Sequence, residues 1–180
     1  MNSRVLITKN IRTKSLAILG TILAAVVLPQ LLHAIGIVSG TGAMLGSSFL
    51  PMHLPIIAAG IIAGPIVGLA AGLISPILSF YLTGMPTGVL LPFMVIELGA
   101  YGLCAGLVKN TNMPMLIKVL VTQVSGRVIR AIAILSAFYL FGFHAINPSI
   151  IYTSILAGLP GLIIQWSIIP LFMFWLDKKE

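Results

Sequence analysis

Leu50-Pro-Met-His-Leu-Pro-Ile-Ile-Ala-Ala-Gly-Ile-Ile-Ala-Gly64 runs without a polar break into Pro65-Ile-Val-Gly-Leu-Ala-Ala-Gly-Leu-Ile-Ser-Pro-Ile-Leu-Ser-Phe-Tyr-Leu-Thr83, and the reading of this stretch decides the fold. Its 34 residues include no Asp, Glu, Lys or Arg. As one helix they would extend about 51 Å at 1.5 Å per residue. A bilayer's hydrocarbon core is about 30 Å thick. The stretch is therefore too long for one crossing and short for two. Gly64-Pro65 arbitrates, because proline removes a backbone donor and disfavours helix in the residue before it. Two short spans are expected, about 50–64 and 66–83.

Working outward, four further apolar runs are each long enough to cross: about 15–35, 88–108, 116–141 and 150–175. Of all residues 59% are apolar and 7% charged, where a soluble domain carries about a quarter charged. The expectation is an all-α integral membrane protein, a six-helix transmembrane bundle forming one membrane domain over residues 1–180. Arg4, Lys9, Arg12 and Lys14 precede the first run, as in a signal peptide. That run exceeds the usual signal core of ~7–15 residues, so it reads as a retained span.

Charge placement supports six crossings. With six, the N-terminal basic arm, Lys109 and Lys118 in one connection, and Lys178-Lys179 share a side, which is eight of the ten Lys and Arg. With five, those eight would divide evenly. The positive-inside rule then puts both termini in the cytoplasm. The basic residues form no continuous face, so the net charge of +7 speaks for topology and anionic lipid, not for nucleic acid. The outer connections, about 36–49, 84–87 and 142–149, carry no charge. The first, Gly36-Ile-Val-Ser-Gly-Thr-Gly-Ala-Met-Leu-Gly46, is glycine-rich and suits a mobile cover.

Between helices in lipid, close packing through small residues replaces the hydrophobic drive. The first span offers Ala17, Thr21 and Ala25 at four-residue spacing, with Gly20 and Ala24 on a neighbouring stripe. Gly60, Gly64, Gly68 and Gly72 repeat across the Pro65 break, which prevents them from sharing one continuous face.

Glu97, Arg127 and Arg130 are the only charged residues deep inside apolar runs. An ionisable group at such depth is costly and marks a partner or a substrate path. If the fourth and fifth spans pair as a hairpin, Glu97 reaches nearly the depth of Arg127. Arg130 lies three residues on, on the same face, and Gln123 extends that stripe. Glu97 and Arg127 are expected to form a structural, register-setting ion pair. Arg130 is left as a surplus guanidinium, whose planar fork suits carboxylate, phosphate or amide oxygens. Met52, His53, Tyr81, Met85 and Tyr139 gather toward the outer half and complete the expected substrate-binding set, since Met and Tyr pack adaptably around a partly apolar ligand.

Several chemistries lack their residues. No Walker-type glycine loop occurs, and the sole aspartate is Asp177, so no acidic cluster stands ready for Mg²⁺. No His-Glu-x-x-His or Gly-x-Ser-x-Gly pattern appears. His33, His53 and His144 have no carboxylate near them in sequence, and no metal site is assigned. The lone Cys104 cannot form an internal disulfide. The chain is read as a non-enzyme with no intrinsic cofactor.

With its six expected spans, basic N-terminal arm and long first outer connection, the chain resembles the substrate-binding S-components of energy-coupling factor (ECF) vitamin transporters over nearly its whole length. Leu50-Pro-Met-His-Leu-Pro55, Ala58-Ala-Gly-Ile-Ile-Ala-Gly-Pro65, Ser79-Phe-Tyr-Leu-Thr-Gly-Met-Pro86 and Glu97-Leu-Gly-Ala-Tyr-Gly102 carry the likeness. The resemblance implies a high-affinity vitamin-binding subunit in a bacterial plasma membrane. It implies binding from outside under a loop lid, docking on a transmembrane coupling subunit with two ATPases that hydrolyse ATP, and inward delivery by toppling. The family's Ala-x-x-x-Ala coupling signature is matched only approximately, by Ala17-x-x-x-Thr21-x-x-x-Ala25 and Gly20-x-x-x-Ala24. The chain looks most similar to the cobalamin-specific members. Pantothenate, folate, riboflavin and pyridoxal-type vitamins stay open, the arginines favouring an acidic one. The alternative of another class is a homo-oligomeric membrane scaffold, which would bind no small molecule.

Overall fold

The computed structural model describes residues 11–41 and 44–178. Arg4, Lys9 and Lys179 of the expected basic side, and Gly42 and Ala43 of the first outer connection, lie outside the described residues. Seven helices follow in order among the described residues: α1 (Ile11–Val38), α2 (Met44–Phe49), α3 (His53–Ala63), α4 (Pro65–Thr83), α5 (Leu91–Leu107), α6 (Met115–Tyr139) and α7 (Ser149–Lys178). The shortest, α2, is a six-residue turn of helix.

The break falls where glycine and proline put it. Gly64 takes φ 97° and ψ 179°, and Pro65 opens α4. At that φ any residue with a Cβ is strained, and Pro at the first helical position needs no N–H partner. The carbonyls orphaned at the end of α3 are met partly by Lys109, whose Nζ donates to the Ile62 oxygen at 2.5 Å. Lys118 Nζ in turn donates to the Lys109 oxygen at 2.7 Å. The basic connection between α5 and α6 is thereby sewn to the α3–α4 break, which fixes one end of the bundle. α4 ends at the opposite end in Gly84, left-handed at φ 73°.

Four helices are long and apolar enough to cross a membrane: α1, α4, α6 and α7. α3 and α5 are shorter apolar helices. With 11 residues, α3 reaches only about 16 Å, roughly half of a hydrocarbon core. The expected second crossing is thus a half-length helix. The first outer connection also differs from the expected open loop. α1 continues to Val38, and α2 folds from the second half of that segment.

Glycine sets the tightest contact, α4 against α5. A Cβ at Gly68 or Gly102 would collide with the other's backbone, one at Gly72 with that of Leu98, and one at Gly106 with that of Pro65. Gly60 of α3 meets Gly102 as well, its Cβ position lying 2.6 Å from that carbonyl oxygen. Gly60, Gly68 and Gly72 therefore share one partner although they lie on two helices. The break at Gly64 is what lets them converge. Such approach maximises dispersion contact where lipid offers no hydrophobic drive.

On α1 the two small-residue stripes part company. Ala25 is fully buried in the main core, Ile22 and Val26 pack on Ala71, and Thr21 Oγ1 bonds back to the Ala17 oxygen at 2.7 Å. Gly20 is exposed, with nothing near its Cβ position. Ala25 is internal packing, which corrects its expected place in a partner interface, while Ala17 and Thr21 are only half-buried.

Gly102→Leu is expected to prevent α4–α5 closure and abolish the folded monodisperse species in detergent, exceeding the ~1–3 kcal/mol typical of overpacking because the obstacle is backbone. Gly20→Leu, set in open space, should leave the thermal transition in place. Equal stability of the two variants would contradict this packing.

Candidate functional site

At the end of the bundle opposite the Lys109–Lys118 connection lies a cavity of about 460 Å³. α1 contributes Pro29, Gln30 and His33, and the turn before α3 contributes Leu50 to His53. Ser79 comes from α4, Met85, Pro86 and Thr87 from the following loop, and Leu90 and Met94 from the start of α5. Ile150, Ser154 and Ala157 of α7 close the side. The wall is chiefly apolar, and its polar groups concentrate at the floor, where Glu97, Arg127, Arg130 and His53 meet.

Glu97 organises that floor. Its carboxylate is fully buried. Oε2 accepts from Arg130 Nη1 at 2.9 Å, and Oε1 accepts from the Tyr101 hydroxyl at 3.1 Å. Arg127 Nε stands 3.3 Å from Oε1 but is not aligned to donate. His53 Nε2 lies 3.9 Å from Oε1, and its ring tilts against Tyr101 at 5.2 Å between centroids. Tyr101 fits because Gly126 of α6 has no side chain; a Cβ there would enter the tyrosine ring. Removing one partner of so buried a pair typically costs about 3–5 kcal/mol, since the other charge is left stranded.

The expected Glu97–Arg127 ion pair is present, and Arg130 joins it. Arg130, expected as surplus, makes the aligned hydrogen bond to Glu97. Arg127, expected as the structural partner, is within ion-pair distance while its Nε and Nη2 find no hydrogen-bond partner. The hairpin did bring Glu97 level with both, as their spacing implied. Sequence spacing places two residues on a face but does not say which rotamer reaches the acid.

A second polar cluster holds the turn at Leu50. Trp166 Nε1 donates to Gln123 Oε1 at 2.6 Å, Gln123 Nε2 to Gln165 Oε1 at 2.9 Å, and Gln165 Nε2 to the Leu50 carbonyl at 3.3 Å. Leu50 takes φ 48°, the one positive φ outside glycine among the described residues. A left-handed L-residue costs roughly 1–2 kcal/mol and persists where its surroundings over-determine it. Gly158 and Gly161 of α7 supply the remaining constraint, letting Leu50 and the Ser48–Phe49 backbone approach closely. Gln123, one turn before Arg127 on α6, thus belongs to this clamp.

Of the expected binding residues, Met52, His53, Met85 and Arg130 line the cavity. Tyr81 and Tyr139 do not: they are 79% and 72% exposed on the outer surface of the bundle. Their helical faces turn away from the cavity. Sequence reading missed Arg127 as a donor to the cavity, and also Gln30, Ser79, Met94 and Ser154. His33 and His53 both face the cavity, whereas His144 packs on Phe138 instead. Among the described residues no three His, Cys, Asp or Glu side chains group to hold a metal ion. Gln165 was visible as a lone amide in an apolar run, a group that must find a partner when buried.

Residues 14–174 match the family model described as ECF transporter, substrate-specific component. No curated protein and no solved structure matches the chain.

Gln165→Leu removes the pin on Leu50 and leaves a buried carbonyl unpaired, at a cost of about 1–3 kcal/mol. Amide hydrogen exchange across residues 44–53 should then accelerate relative to the α4–α5 core. Unchanged protection of that segment would show that the clamp does not hold the turn.

Proposed function

Since the chain belongs to the family of substrate-specific components of ECF transporters, we propose that it captures a vitamin in the cavity beneath α2 and hands it inward while docked on a coupling subunit. It is a transport subunit and not an enzyme. Family membership, together with four helices apolar and long enough to cross, makes it a multi-pass membrane protein that works with coupling and ATPase subunits of an ECF module.

The observation that carries the binding role is the cavity itself, an apolar chamber with buried charges at one end and unspent donors. Pockets of about 300–1,000 Å³ with a few convergent polar groups are the usual form of small-molecule sites. Orientation follows from charge: with the Lys109–Lys118 connection on the cytoplasmic side, both termini are cytoplasmic and the cavity faces out. The membrane is then a bacterial plasma membrane, α2 with the Met85–Thr87 loop is the cover, and delivery proceeds by toppling.

Two substrate classes compete. Cobalamin has in its favour the uncharged outer connections and the methionines Met52, Met85 and Met94 in the wall. A corrinoid with its amide arms is larger than the present cavity and would need α2 to swing off α7. A smaller vitamin fits about 460 Å³ as it stands and makes better use of the guanidiniums. The smaller class is the reading favoured. Protein purified in mild detergent should arrive with a bound vitamin identifiable by mass spectrometry. A cobalamin mass and visible spectrum would decide for the corrinoid, and a homo-oligomer that takes up no vitamin from a panel would decide for the scaffold.

The coupling surface proposed is the exposed side of α1, where Gly20 sits among Leu16, Leu19 and Leu23, with Ala17, Thr21 and Ala24 half-buried at its margin. Gly20→Trp should lower vitamin uptake in cells carrying the full transporter by tenfold or more while leaving vitamin binding by the isolated subunit intact. Normal uptake would exclude this face. Ala25 is unsuited to the same test because tryptophan there would disrupt the core.

A further inference from the structure

The charges around the cavity do not balance. With histidine counted neutral, Glu97 offsets one of Arg127 and Arg130 and leaves one positive charge. Among the described residues no other acidic side chain lines the cavity. Taking such a charge out of water costs several kcal/mol unless something compensates it. The uncompensated cation is Arg127. Both guanidiniums keep an unpartnered Nε, but Arg130 spends Nη1 in line on Glu97 Oε2, whereas Arg127 leaves Nη2 unpartnered as well. A guanidinium has five N–H donors. Beside both arginines, against Ile151, Ser154 and Ile155, lies a void of about 10 Å³, room for about one water, which is fewer acceptors than the unspent donors require.

Resting on the reading of the chain as a vitamin-binding subunit, we infer that its ligand carries a single carboxylate and that Arg127 is the residue that receives it. The charge count selects the acid. One carboxylate neutralises the surplus, while a phosphate monoester brings roughly −1.5 to −2 and overshoots it. The geometry selects the residue, because an unspent planar fork takes two carboxylate oxygens side by side. His53 stands beside it, 4% exposed, with neither ring nitrogen hydrogen-bonded, and offers a further polar contact. Met52, Leu90, Met94 and Ile150 form the wall above. The acid therefore sits at the floor, and the rest of the ligand is uncharged and in good part apolar. Glu97 serves as the resident counter-charge that holds Arg130 out of the competition.

The test is equilibrium binding by the full chain in phosphatidylcholine nanodiscs. The probes are pantothenate with its alcohol pantothenol, biotin with biotinamide, and cyanocobalamin. At least one acid should bind, and its neutral counterpart should bind about 10- to 150-fold more weakly, the range for a charge-assisted hydrogen bond. Arg127→Gln should erase that preference, and Arg127→Lys, which keeps the charge but loses the fork, should restore part of it. The acid-to-neutral ratio of the unsubstituted chain needs no variant, so a substitution that fails to fold leaves the inference open to refutation. Acid and neutral forms binding alike, or cyanocobalamin binding alone, would overturn the inference while the vitamin-binding role stands. Failure of every probe to bind would overturn the inference, and failure of folate, riboflavin and pyridoxal as well would overturn that role itself. Phosphatidylglycerol in the nanodiscs should leave the acid's affinity unchanged. Displacement of the acid by that lipid would assign Arg127 to a headgroup and sink the inference.

Discussion

The fully buried carboxylate of Glu97 is the constraint on which the rest of the site depends. An anion within the apolar interior is tolerable only with close positive charge and hydrogen bonds that satisfy its lone pairs. Arg130 and Tyr101 provide the bonds and Arg127 adds charge. To deliver them, α5 must lie flat on α6, which Gly126 permits by making room for Tyr101. α5 must also be held in register from its other side, which the glycines of α3 and α4 achieve through backbone contact with Leu98, Gly102 and Gly106. The electrostatics and the glycine packing are therefore one arrangement. The close approach fixes the helices that the buried charge requires, and the charge fixes their register.

Much of this was legible from residue types. The Gly64-Pro65 break follows from proline's missing donor and glycine's freedom at φ 97°, and it appears where expected. The three interior charges were bound to meet, because each needed the others in an apolar setting. The lengths of the helices were less accessible. A hydrophobic run tells how far a helix can extend in lipid, but α3 begins only at His53 because Leu50 to Met52 turn under α2. That turn is held by Gln165, 115 residues away in sequence. No local pattern announces so distant a partner.

Side-chain roles were the least legible part. Tyr81 and Tyr139 lie on helical faces turned away from the cavity. Arg127 and Arg130 both pair with Glu97, and it is Arg130 that makes the aligned bond. A three-residue spacing rotates side chains by tens of degrees about the helix, enough to decide which guanidinium lines up with an oxygen and which is left offering its fork. The small-residue stripes of α1 show the same limit. Ala17, Thr21 and Ala25 match a contact pattern as well as Gly20 and Ala24 do, and only packing against the main core reveals that Ala25 is already occupied.

The half-length of α3 has a consequence for the architecture as a whole. The helix falls short of a bilayer's thickness by about 14 Å, or two and a half turns, and the cavity lies beyond its first residue. The chamber is thus the volume that the absent turns would have filled. Helical turns added before His53, at about 5.4 Å each, would extend into the chamber and reduce its volume, while Glu97 of α5 and the arginines of α6 would still mark its floor. Within such a bundle, accommodating a larger or smaller cargo is a matter of where one helix starts, and the surrounding five can keep their packing.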